Sequence, residues 1–136
     1  MTEDDLIRRT LEEITADALS KSKPPLGRIA TIQAMVDLGP RWQAHGDIKK
    51  RLKAYTSSTG DYMFDLQRRY PFIIEKDQGN LLRIRPAVFP VVARVTSECL
   101  KRLQKAAERA KFRSTERLQL GPGDLKRFST GQAGDT

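Results

Sequence analysis

The sequence predicts a mainly α-helical fold that carries one small β-hairpin. Three observations lead there. Apolar residues recur at helical spacing over most of the 136 residues. The apolar period changes from 3.6 to 2 immediately after Tyr70-Pro71. The two runs that follow, FIIEK and LLRIR, are separated by Asp77-Gln78-Gly79-Asn80, a short polar turn containing glycine.

The first helix is expected over Glu3 to Leu19. Thr2 and Asp5 stand at capping-box spacing, with Asp in place of the usual Glu or Gln. Ile7, Leu11, Ile14 and Ala18 form a narrow apolar stripe at i, i+4, i+7 and i+11. KSKPPLG, Lys21 to Gly27, reads as a linker because two consecutive prolines cannot continue a helix. A second helix, from about Arg28 to Leu38, would bury Ile29, Ile32, Met35 and Val36. Gly39 and Pro40 then cap and stop it. Trp42 is expected to cover the core from the short connection that follows, its indole N–H finding a carbonyl.

Asp47 to Ala54 forms a basic helix. Ile48, Leu52 and Tyr55 face inward, and Lys49, Lys50 and Lys53 point elsewhere. After the corner Thr56-Ser57-Ser58-Thr59, Ser58 and Asp61 repeat a capping-box spacing and open a helix from about Ser58 to Arg69. Met63, Leu66 and Tyr70 fall on its inner side with Tyr62 at the flank. The outer side holds Asp61, Phe64, Asp65 and Arg68. Proline after Tyr70 ends the helix. In the hairpin, Phe72 and Ile74 on one strand and Leu82 and Ile84 on the other face the core, leaving Lys76, Arg83 and Arg85 outward. The longest helix runs from Val91 to Phe112. Val92, Val95, Cys99, Leu103, Ala106 and Ala110 fall within about 80 degrees of one another on its wheel. Arg94, Lys101, Lys105 and Arg109 take the opposite side.

These elements divide the chain into an N-terminal amphipathic helix (1–20), a central unit (28–90), the long C-terminal helix (91–112) and a tail (113–136). The tail is expected to be disordered from its Gly, Ser and Thr content. The apolar stripe of the long helix exceeds what a small core requires. Val92, Val95, Cys99 and Leu103 are therefore expected at a two-fold interface, and a homodimer is the expected assembly.

The formal charge of +8 is unevenly placed. Residues 1–20 carry six acids and two bases, net −4, and residues 21–40 carry one acid and three bases, net +2. Residues 41–86 and 87–136 each carry ten bases and five acids, net +5 apiece. Such an asymmetry points to a polyanionic partner. No apolar run approaches the ~20 residues that a membrane-spanning helix needs, so no membrane role is expected. The acidic N-terminus lacks the apolar core of a secretory signal, and the single cysteine has no disulfide partner within the chain. An intracellular protein of the cytoplasm, nucleoid or nucleus is expected.

Catalysis finds little footing. His45 is the only histidine and Cys99 the only cysteine, too few for a histidine-rich or zinc-cluster metal site. Cys99 sits mid-stripe, where packing explains it. The phosphate-cradling patterns GxxxxGK[ST] and GxGxxG do not occur. Asp61 and Asp65 stand at i, i+4 without the further carboxylates a magnesium nuclease would use. The expectation is a non-enzyme with no cofactor and no metal.

Helix, turn, helix and hairpin within residues 47–86 resembles the winged helix-turn-helix superfamily found in small transcriptional regulators. The likeness covers about a third of the chain, more if the flanking helices are counted. It implies that the second helix of the pair enters the major groove while the wing touches the flanking backbone. Carried onto this sequence, the contacts become Ser57, Ser58, Thr59 and Tyr62 at the helix entrance, exposed Arg68, and Lys76, Gln78, Asn80 and Arg83 on the wing. Lys49, Lys50 and Lys53 add phosphate contacts. The run DLQRRYPFIIEKDQGNLLRI, Asp65 to Ile84, also looks like the finish of winged domains in RNA-associated proteins. The resemblance implies a DNA-binding regulator, with DNA favoured over RNA. The alternative is an adaptor or subunit that binds protein or RNA within a larger assembly. Acids on the outer side of the second helix repel phosphate unless they accept from cytosine N4. Phe64 between them is a candidate protein contact.

Overall fold

A computed structural model describes residues 1–57 and 60–119, with side chains as far as residue 113. The elements run α1 (Glu3–Leu19), α2 (Gly27–Asp37), α3 (His45–Leu52), α4 (Met63–Arg69), β1 (Ile74–Lys76), β2 (Leu82–Ile84), a 3-10 turn (Pro86–Val88) and α5 (Phe89–Gln119). The chain is mainly helical with one two-stranded antiparallel hairpin, as its periodicities predict. The Thr2–Asp5 capping box forms in both directions at 3.2 Å. Gly39 adopts φ +89 directly after α2, the left-handed cap that favours glycine.

Several boundaries differ from the sequence expectation, each for a local reason. The basic helix α3 starts two residues earlier and ends at Leu52, with Lys53 as its C-cap. Residues 60–62 are not helical, so α4 begins at Met63; the expected entrance at Ser58 and Thr59 lies outside the described residues. Phe72 lies in the turn before β1 and is half-buried, while its neighbour Ile73 takes the core position. α5 begins at Phe89 because Pro90 falls in its first turn, where a missing N–H leaves no intrahelical bond unmade. It continues to Gln119, so 113–119 is helix where a disordered tail was expected; the rest of that tail lies outside the described residues.

One core joins the first helix, the central unit and the last helix, running from Ile7 through Ile32, Ile48 and Leu82 to Leu103. α5 packs on both α1 and α2. This explains why its buried side is broader than one stripe and also takes in Val91, Thr96 and Leu100. α1 and α5 run parallel: Arg8 pairs with Glu98 at 3.9 Å, and four residues further along both helices Glu12 pairs with Arg102. At the shared starting end Arg85 holds Glu3 at 2.8 Å and donates to the Phe72 carbonyl at 2.8 Å. The expected dimer surface is corrected here. Val92, Val95, Cys99 and Leu103 are fully covered within the one chain and present nothing to a second copy.

The hairpin is tied to the helices by Gln43. Its N–H donates to the Leu82 carbonyl at 2.8 Å and its carbonyl accepts from Leu82 N–H at 2.9 Å, so β2 is paired on both sides. The buried Gln43 amide donates to the carbonyls of Met35 and Gly39 at 3.0 and 2.8 Å, satisfying acceptors that the end of α2 leaves open. Among the described residues no helix is long and apolar enough to cross a membrane.

Candidate nucleic-acid interface

α3 buries Ile48 and Leu52, so helical geometry turns Lys49, Lys50 and Lys53 away from the core. Asp47 in its first turn and the cations in its last suit the helix dipole. The helix is fastened to α2 by Asp37, whose carboxylate accepts from Arg51 Nε at 2.7 Å, Gln33 Nε2 at 3.0 Å and the Tyr55 hydroxyl. Burial alone would raise the Asp37 carboxyl, but the hydrogen bonds from Tyr55, Gln33 and Arg51 together outweigh it and hold the group below the ordinary carboxylate range. A depressed carboxyl stabilises the fold above its unfolded value, ~4, and that contribution is lost as pH falls through the folded value. Asp37→Asn is therefore expected to cost about 1–2 kcal/mol at neutral pH. Its stability should also decline less than wild type's as the pH drops below ~4. Urea titrations at pH 7 and pH 3 check both; parallel losses at the two values would remove Asp37 as the clasp.

The entrance to α4 is built from three elements. His45, the first residue of α3, lies 2.5 Å from Asp61 through Nε2 and stacks on Phe64 with ring centroids 5.9 Å apart and planes within 8°. Burial alone would raise the Asp61 carboxyl. Hydrogen bonds from His45 and from Met63 N–H, with the Lys49 charge nearby, hold it below the ordinary range. The lysine side of α3 therefore borders this corner. Phe64, expected outward, is half-buried under the histidine. Tyr62 is also redirected. It packs against Gly27, where an added Cβ would lie 2.2 Å from its Cε2, and carries the Arg28 guanidinium 5.5 Å from its ring centre. It braces the start of α2 and does not reach outward as a groove contact. Ser57 is exposed, and Ser58 and Thr59 lie outside the described residues. Arg68 is exposed on α4, yet Asp65 stands within reach of both Arg68 at 3.9 Å and Arg69 at 3.3 Å, so much of that surface is neutralised internally.

At the hairpin tip Asp77 organises the turn by accepting from Gly79 N–H at 2.9 Å and Leu81 N–H at 2.8 Å. Asn80 takes φ +64, which asparagine tolerates better than most residues. Lys76, Gln78 and Asn80 are exposed there, as expected. Arg83 is not a free wing cation. Its guanidinium sits 4.2 Å over the Trp42 ring and 3.2 Å from Glu75 across the strand pair. The fold thus leaves Lys50, Lys53 and the hairpin tip to solvent, keeps Lys49 half-buried, and turns Tyr62, Phe64 and Arg83 into internal braces.

Sequence reasoning missed Asp37, His45 and Trp42 as the residues that hold this surface in shape. A lone histidine beginning a helix sixteen positions before an aspartate carries no periodic signal, and neither does a tryptophan forty-one residues from its arginine. Comparison of the chain with protein-family models, characterised proteins and solved structures finds no match.

Proposed function

We propose that this chain binds nucleic acid as a winged helix-turn-helix module, through the phosphate backbone, with duplex DNA favoured over RNA. Its cations carry the reading. Lys50, Lys53 and Lys76 are exposed and form no ion pair with a described residue, whereas α4 pairs its charges within itself. Such a surface suits a strand of phosphates better than the edges of particular bases. The Gln43 bridge supports the winged arrangement, since it ties the hairpin to the end of α2, the helix on which α3 packs. The adaptor alternative has less to stand on, because its candidate contact Phe64 is stacked on His45.

Binding to several unrelated 20-base-pair duplexes, followed by fluorescence anisotropy across salt concentrations, tests the proposal. Replacing Lys49, Lys50 and Lys53 together by alanine should weaken every duplex by a similar factor. The salt slope should flatten by about one unit for each phosphate no longer neutralised. An unchanged slope, or losses that differ strongly between sequences, would refute backbone binding by this helix.

A further inference from the structure

We propose that the outward side of α5 is a second nucleic-acid site, a track for a single-stranded phosphate backbone that ends on Phe112 as a base-stacking platform. The inference rests on the reading above only in taking nucleic acid as the ligand. Residues 89–113 hold seven bases against two acids, net +5. Lys101, Lys105, Arg109 and Arg113 recur every fourth residue, so their charges follow one another about 6 Å apart along the helix. The acid nearest the start of this row, Glu98, faces Arg8 of α1. At the far end Phe112 is 69% exposed, in an open groove with Lys105, Glu108, Arg109 and Arg113.

A phenyl ring in water among cations has few physical explanations. An apolar protein partner would want a contiguous patch; among the described residues the other exposed large apolar side chains are Met1, Leu6 and Leu19, and none of them lines this groove. A cationic groove with an aromatic face at its end matches single-stranded nucleic acid, whose charge the lysines and arginines meet and whose unstacked bases offer a π-face. In a duplex those faces are already stacked on each other. The outward ring is what singles out the single strand.

The test uses the full chain and a fluorescein-labelled 20-mer of deoxythymidine, titrated at several salt concentrations. Phe112→Leu keeps an apolar side chain but removes the π-face, and should bind on the order of 10-fold more weakly. Phe112→Trp should bind at least as tightly as wild type. Replacing Lys101, Lys105, Arg109 and Arg113 by glutamine should flatten the salt slope by about 0.7 for each phosphate no longer neutralised. Wild-type affinity in Phe112→Leu, or an unaltered slope in the fourfold variant, overturns the track. So does a light-scattering mass that rises with concentration in wild type but not in Phe112→Leu, because a second copy would then occupy the face. The α3 lysine variant separates the two sites. If it loses duplex binding while the α5 variants are silent, the α3 reading stands and the track falls; the opposite pattern keeps the track and removes the α3 site.

Discussion

Ile32→Ala should lower the unfolding free energy by about 2–5 kcal/mol, at the upper end of what a single truncation does in this chain. The reason is the position of α2. It packs on α1, α3, α5 and β2, and every residue from Ile29 to Met35 is buried. Ile32 is fully covered, so removing three carbons strips away packing and leaves a space that helices held on several sides cannot collapse into. Ala34, also fully covered, probes the opposite failure: Ala34→Leu should cost about 1–3 kcal/mol by overpacking. Domains of this size have about 5–15 kcal/mol in total, so either change should be plain in urea unfolding followed by circular dichroism. A loss under about 1 kcal/mol for Ile32→Ala, with the denaturant slope unchanged, would mean that α2 is not the centre of the fold.

The second large effect changes sign with its background. Gly27→Ala adds one methyl group that would sit 2.2 Å from Cε2 of Tyr62 and 2.9 Å from its Cζ. The ring must move, and it braces the residues leading into α4, so a cost of about 1–3 kcal/mol is expected. With Tyr62→Ala already in place the obstacle is gone. The same glycine replacement should then be neutral or stabilising by up to ~1 kcal/mol, since alanine is the better helix former. Four proteins measured by chemical denaturation complete the cycle. Equal effects in the two backgrounds would show that Gly27 is not there to admit the tyrosine.

Much of this architecture could be read from the chain because local rules agree with the final packing. The stripes of α1 and α5, the Thr2–Asp5 cap, Gly39 and the Asp77–Asn80 turn each depend on neighbours within a few residues. Lys49, Lys50 and Lys53 leave the core by the same periodicity that buries Ile48 and Leu52, although Lys49 leans toward the Asp61 corner. What could not be read is what distant residues decide. Asp61 has the spacing of a capping residue, but what engages it among the described residues is His45, sixteen positions away, and Met63 N–H, and α4 starts only at Met63. Arg83 alternates outward as a strand residue should, yet Trp42 and Glu75 hold it in place. Stripe length misled in a different way. The long apolar run of α5 suggested a partner chain, and that partner proved to be α1 of the same chain.

The parallel packing of α1 and α5 also bears on how the chain comes together in time. Cys99 lies against Leu11, eighty-eight positions away, and the stripe of α1 has its main partner in a helix that leaves the ribosome after all the others described. During synthesis α1 must wait, amphipathic and partly uncovered, while the central helices and hairpin emerge. Its acidic surface helps to keep it dispersed in that interval. Closure of the core is a late event of high sequence separation, which slows folding relative to a bundle of sequential helices. A chain released before Leu103 would lack the piece that completes the core at both ends.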